Sequence, residues 1–218
     1  MEIIGSLENV NAFVLDVDDT CYSSPAYKAH QREVKYAKLG ELMGLSPEAA
    51  KQAVKDCKKD LQARHNRSIA LTETIIELGI TAQQWIDLRQ NNLQPELHIC
   101  PDQEFVNLIS RAAKRYVVAF ATNSPEKLGR RILGRIGIIP EDHGCYFLGT
   151  DTVGLYKPNP EFFLAACNLM KVLPQVCVSI GNRLHTDCHP ALEAGFAGSI
   201  HVPEGREQTV TFLKQILA

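Results

Sequence analysis

Two aspartates, Asp16 and Asp18, stand at the end of the apolar run Ala12-Phe13-Val14-Leu15. The run reads as a buried strand over residues 12–16, which places both carboxylates where that strand stops. Like charges crowded together repel, and partial burial makes ionisation harder, so the pair weakens a fold unless chemistry uses it. Phosphoryl transfer is chemistry of that kind. One carboxylate attacks, the second handles the leaving-group proton, and a divalent cation offsets their charge. Thr20 completes the segment Asp16-Val17-Asp18-Asp19-Thr20.

The elements that position these residues show two kinds of pattern. From about Ser23 to about Asn92 the chain is polar and charged and contains no convincing strand. Tyr27 to Met43 is rich in helix formers, and Ser46-Pro47-Glu48 is a helix start, with Ser as N-cap and Pro at the first helical position. Ile75, Ile76 and Leu78 precede a stop at Gly79, and Thr81 caps a further helix carrying Trp85, Ile86 and Leu88. The interval predicts a small all-helical insert. After Pro101 the pattern becomes βα repetition. Asp102 caps a helix with Phe105, Leu108, Ile109 and Ala112 on one face, followed by a continuous apolar strand at Tyr116–Ala121. A helix spans about Pro125 to Ile136, and a short strand Cys145–Leu148. Asn159-Pro160 opens a helix with Phe162, Phe163, Ala166 and Leu169 expected inward. Strands at Val176–Ile180 and Gly198–Val202 complete a Rossmann-like α/β core, a parallel sheet with helices on both faces. The expected division is a core of residues 1–20 and 97–218 around an insert of residues 21–96.

Composition bounds the function classes. The chain has 218 residues, 45% of them hydrophobic, which suits a globular core. Its formal net charge of -2, without a polybasic run, argues against a nucleic-acid polymer or an acidic membrane as partner. No segment approaches the roughly 20 apolar residues of a membrane span. Seven cysteines at irregular spacing, with no CxxC pair, read as reduced thiols in a cytoplasmic protein.

In parallel α/β sheets, ligands sit beyond the carboxyl ends of the strands. There the chain collects Asp16 and Asp18, then Thr122-Asn123-Ser124, then Lys157-Pro158, then the loop Gly181-Asn182-Arg183-Leu184-His185-Thr186-Asp187. This ordered set resembles the haloacid dehalogenase-like hydrolase superfamily in all four of its motifs. The insert resembles the helical cap of the subfamily that includes phosphoglycolate phosphatases and pyrimidine nucleotidases.

The resemblance implies a phosphatase of a small phosphorylated metabolite, acting as monomer or homodimer. Asp16 would be the nucleophile and Asp18 the acid and base. Thr122 would donate its hydroxyl to the phosphoryl group, and Lys157 would neutralise charge on Asp16 and the phosphoryl oxygens. Asn123 and Tyr22 would contact substrate or phosphate, with Tyr27 a second neighbour of the leaving group. Magnesium would bind Asp16, the carbonyl of Asp18, and the fourth motif through Asn182 and Asp187. The family usually carries an acid at the position of Asn182, so a neutral side chain there implies weaker magnesium binding. A dehalogenase of the same fold needs no acid at position 18, so Asp18 favours phosphoryl transfer. A phosphomutase keeps both aspartates, and a non-catalytic phosphate-binding protein would fit the loss of charge at Asn182. Arg183 is expected in a structural salt bridge. His185, Cys188 and His189 are too local a cluster for zinc. Lys28, His30, Arg32, Arg64, His65 and Arg67 of the insert are possible contacts for an anion.

Overall fold

The computed structural model describes residues 1–218. They divide into two compact units, Met1–Ser24 with Ile99–Ala218, and Pro25–His98. Both boundaries fall slightly later in the chain than the sequence pattern suggests.

The first unit is built on a six-stranded sheet. Its strands are β1 (Glu2–Gly5), β2 (Ala12–Leu15), β3 (Val117–Ala121), β4 (Tyr146–Leu148), β5 (Cys177–Gly181) and β6 (Gly198–His201). Their order is β1-β6-β5-β2-β3-β4, parallel throughout except for β1, which pairs antiparallel with β6. β1 is an edge strand that the sequence pattern does not reveal. Ile3 is half exposed, so the strand lacks the buried face that marks the others.

β2 lies at the centre, with Leu15 level with Phe120 of β3 on one side and Ile180 of β5 on the other. The chain builds outward through β3 and β4, then returns across β2 to β5 and β6. Such a reversal opens a crevice at the carboxyl ends of the strands on either side of it. β2 is buried on both faces. Ala12 and Val14 pack in a cluster with Phe162, Phe163, Ala166 and Met170 of the helix Pro160–Met170. Phe13 points the other way, edge-on to Phe212 at 5.9 Å between ring centroids. Burying each such aromatic contributes about 2–3 kcal/mol. Phe212 belongs to the C-terminal helix Arg206–Ile216, an element not anticipated from the sequence. Leu169, expected inward, is 38% exposed; the buried stripe of its helix runs through Phe162, Phe163, Ala166, Cys167 and Met170 instead.

The second unit holds four helices, Pro25–Met43, Pro47–His65, Leu71–Glu77 and Ala82–Asn92. Its core is Leu39, Ala50, Val54, Ile75, Ile80, Trp85 and Leu88. Ser46 Oγ accepts from the Ala49 N–H at 3.2 Å, and Thr81 and Gln84 form a reciprocal cap, which satisfies donors that a helix start leaves orphaned. No helix of the chain is long and apolar enough to cross a membrane.

Candidate active site

The turn after β2 is tightly folded. The Asp16 N–H continues the sheet by donating to Ile180 O at 2.8 Å, and the Thr20 and Cys21 N–H groups close onto Val17 O. Asp19 takes a left-handed backbone with φ of 60°. Gly205, φ 66° and ψ −126°, backs this turn so closely that a Cβ at 205 would overlap the Asp19 carbonyl oxygen. The Gly205 carbonyl is itself held by Thr209 Oγ1 at 3.1 Å, so the contact has little room to relax. Thr20 Oγ1 reaches back to donate to Asp16 Oδ2 at 2.9 Å. The buried Cys21 thiol donates to the Asp16 carbonyl, and burial, reinforced by Asp16, holds its pKa well above the usual range, so it stays neutral.

Lys157, 2% exposed, lies between two carboxylates. Its Nζ is 2.7 Å from Asp16 Oδ1 and 2.6 Å from Asp187 Oδ1. Asp187 is turned inward by a π-helical turn, Leu184–Cys188, of the kind often found at functional sites. Its Oδ2 accepts from the Arg183 N–H at 3.0 Å, and a Cβ at Gly181 would collide with it. One buried ammonium beside two carboxylates leaves an excess of negative charge. Burial raises the Asp16 carboxyl to about 7 against the pull of Lys157, with Asp187 and Asp18 pushing the same way as burial. Burial alone would lower the Lys157 pKa, but Asp16 and Asp187 outweigh it and raise the value.

This chain's residues fit a hard cation at that excess charge. Asn182, at the end of β5, has a buried Oδ1 without a hydrogen-bond partner. A buried carbonyl oxygen left unmatched, just beyond the strand that pairs with β2, is the donor type that magnesium takes. Asp187 already accepts from a donor at each oxygen, so its part there is chiefly charge.

Asp18 has different surroundings. Tyr22 OH donates to its Oδ1 at 2.7 Å, and Ser124 Oγ and Thr122 Oγ1 donate to its Oδ2 at 2.9 and 3.3 Å. Thr122 and Ser124 follow β3, and the Ser124 N–H donates to Thr122 Oγ1 at 3.0 Å. Ser124, placed at this strand exit by the sequence, had no role assigned to it. Its signal was its place beside Thr122 on the same strand exit. The Asn123 side chain is engaged with Lys157. Its Oδ1 accepts from the Lys157 N–H at 2.7 Å and its Nδ2 donates to Lys157 O at 2.8 Å. The amide thereby clamps the lysine main chain.

Other candidates sit elsewhere. Tyr27 is fully buried, its ring 6.3 Å from that of His30, and so is not open to a leaving group. Arg64 and Arg67 pair with Glu77 and Glu73 within the helical unit. Arg183 is exposed and forms no ion pair, against expectation; it contributes its backbone N–H. His185 and His189 meet edge-on at 5.0 Å, while burial pushes the neighbouring Cys188 thiol up to about 12. All seven cysteines are free.

Comparison with known proteins agrees with this fold. A curated relative, glyceraldehyde 3-phosphate phosphatase of Methanopyrus kandleri, is 24% identical over 211 residues, spanning 91% of this chain and 86% of its own. Among solved structures, a phosphatase of Thermococcus onnurineus superposes with a TM-score of 0.59 at 18% identity, covering 96% of this chain and 98% of its own. A haloacid dehalogenase-like hydrolase of Bacteroides fragilis gives 0.60 at 19% identity, covering 93% of each chain. These likenesses establish the fold. The sequence profile of the haloacid dehalogenase-like hydrolases matches residues 10–195, a span that holds every group of the site described above, and the chain belongs to that family of hydrolases.

Proposed function

We propose that the protein is a magnesium-dependent phosphatase of small phosphomonoesters that works through an aspartyl-phosphate on Asp16. A single observation carries this reading. Two carboxylates two residues apart have opposite surroundings, Asp16 buried against an ammonium and Asp18 held by hydroxyls. Paired carboxylates in contrasting environments take contrasting roles.

In the first step an Asp16 carboxylate oxygen attacks phosphorus, the bond to the ester oxygen breaks, and Asp18 gives that oxygen its proton. In the second, Asp18 takes a proton from water, whose oxygen attacks phosphorus and releases phosphate and free Asp16. Lys157, with its main chain clamped by Asn123, holds the attacking carboxylate and faces the charge that develops on the phosphoryl oxygens. The Thr122 hydroxyl, which rests 3.3 Å from Asp18 Oδ2, would turn its proton to the phosphoryl group. Asp16, the Asp18 carbonyl and Asn182 Oδ1 would hold magnesium, with Asp187 adding charge, and the ion supplies neutralisation of the attacking and transferred groups.

The likeness to a glyceraldehyde 3-phosphate phosphatase makes triose phosphates the first substrates to test, beside phosphoglycolate, nucleoside monophosphates and sugar phosphates. Phosphate release from one or more of these is expected with magnesium and not with EDTA. No release from any of them at high magnesium would refute the reading. Conversion of glucose 1-phosphate to glucose 6-phosphate without release would make the protein a mutase.

A further inference from the structure

We infer that Ser124 and Tyr22 are positioning residues that fix the plane of the Asp18 carboxyl for departure of the leaving group. The inference rests on the phosphatase reading and deepens it. Ser124 is fully exposed to nothing: its residue is 0% solvent accessible, yet its Oγ lies 2.9 Å from Asp18 Oδ2. Tyr22, 6% exposed, delivers its phenol to the opposite oxygen, Oδ1, at 2.7 Å. Two hydroxyls from different segments, the β2 turn and the β3 exit, thus grip the two oxygens of one carboxyl and fix its plane.

The test reads leaving-group dependence of kcat/KM, which reports steps up to departure of the alcohol. A poor leaving group such as an alkyl alcohol depends on a well-placed acid; p-nitrophenolate leaves with little help. Ser124→Ala and Tyr22→Phe are each expected to lower kcat/KM at least tenfold on an alkyl phosphate and less than threefold on p-nitrophenyl phosphate. Circular dichroism melting confirms that each variant is folded, and Tyr22→Phe, which keeps the ring, serves if Ser124→Ala does not fold. Equal losses on both esters, or a rise in KM with kcat unchanged, would overturn the role and mark a structural or substrate-binding residue. A wild-type protein that turns over neither ester refutes the phosphatase reading itself, and the role with it.

Discussion

Asp16 and Asp18 are two residues apart in the chain and far apart in environment. Asp16 is 8% exposed, bound to the Lys157 ammonium and to a threonine hydroxyl, within a cluster that carries more negative than positive charge. Asp18 is half-buried and is held by three hydroxyls. The first arrangement fixes a charge in one place. The second grips both oxygens of the carboxyl and fixes its plane. The two side chains are chemically identical, so the difference lies in the neighbours that the fold brings to each.

Changing either neighbourhood tests that comparison. The largest effect is expected from Asp16→Asn, which removes the nucleophile and lowers kcat by at least about ten-thousandfold in a phosphate-release assay. Turnover at the wild-type rate would refute the assignment. Lys157→Met leaves Asp16 and Asp187 buried together without their cation and is expected to destabilise the magnesium-free protein by about 3–5 kcal/mol in urea. A loss under 1 kcal/mol would show that the network contributes little to the fold. Asp18→Asn is expected to slow turnover by about a hundred- to ten-thousandfold, while acyl-phosphate still forms with p-nitrophenyl phosphate in a single-turnover burst. Absence of that burst would give Asp18 a part in nucleophilic attack itself.

A smaller effect concerns pH. Burial pushes the Asp16 carboxyl up to about 7 in the folded chain from a reference of 3.8, so between those values the folded state binds the extra proton. Stability of the magnesium-free protein from this group therefore falls as pH rises from about 4 to 7 and levels off above. Asp16→Asn lacks that fall, and at pH 8 it should gain on the order of 1–3 kcal/mol relative to wild type in EDTA. Parallel stability curves for the two proteins would contradict the burial argument. Smallest is Asn182→Asp, expected to tighten magnesium by about tenfold in isothermal titration by restoring a charged ligand. Micromolar or tighter binding by the wild type would show that the neutral oxygen is no handicap.

Much of the core was legible in the sequence because β2 and β3 are buried on both faces and read as unbroken apolar runs. The polar residues that follow them then fall at one edge of the sheet by topology alone. Helix starts were legible at Ser46, Thr81, Asp102 and Asn159, where the capping side chain is local to the element it caps. What depends on direction was not. An asparagine after a strand shows that an amide is available, but not that Asn123 turns both its ends to Lys157. β1 gave no signal because its edge position asks for no buried face. Ser124 was hidden because a buried hydroxyl declares its partner only when another part of the chain, here Asp18, is folded against it.

The close fit of Gly205 against Asp19 gives the order of synthesis a consequence. Every residue proposed for catalysis or metal binding, from Asp16 to Asp187, leaves the ribosome before the glycine that backs the first of them. The catalytic turn acquires its rear wall only when the last helix begins to form. A chain cut short before residue 205 would carry the complete set of motif side chains without the support that holds the nucleophile's turn in shape.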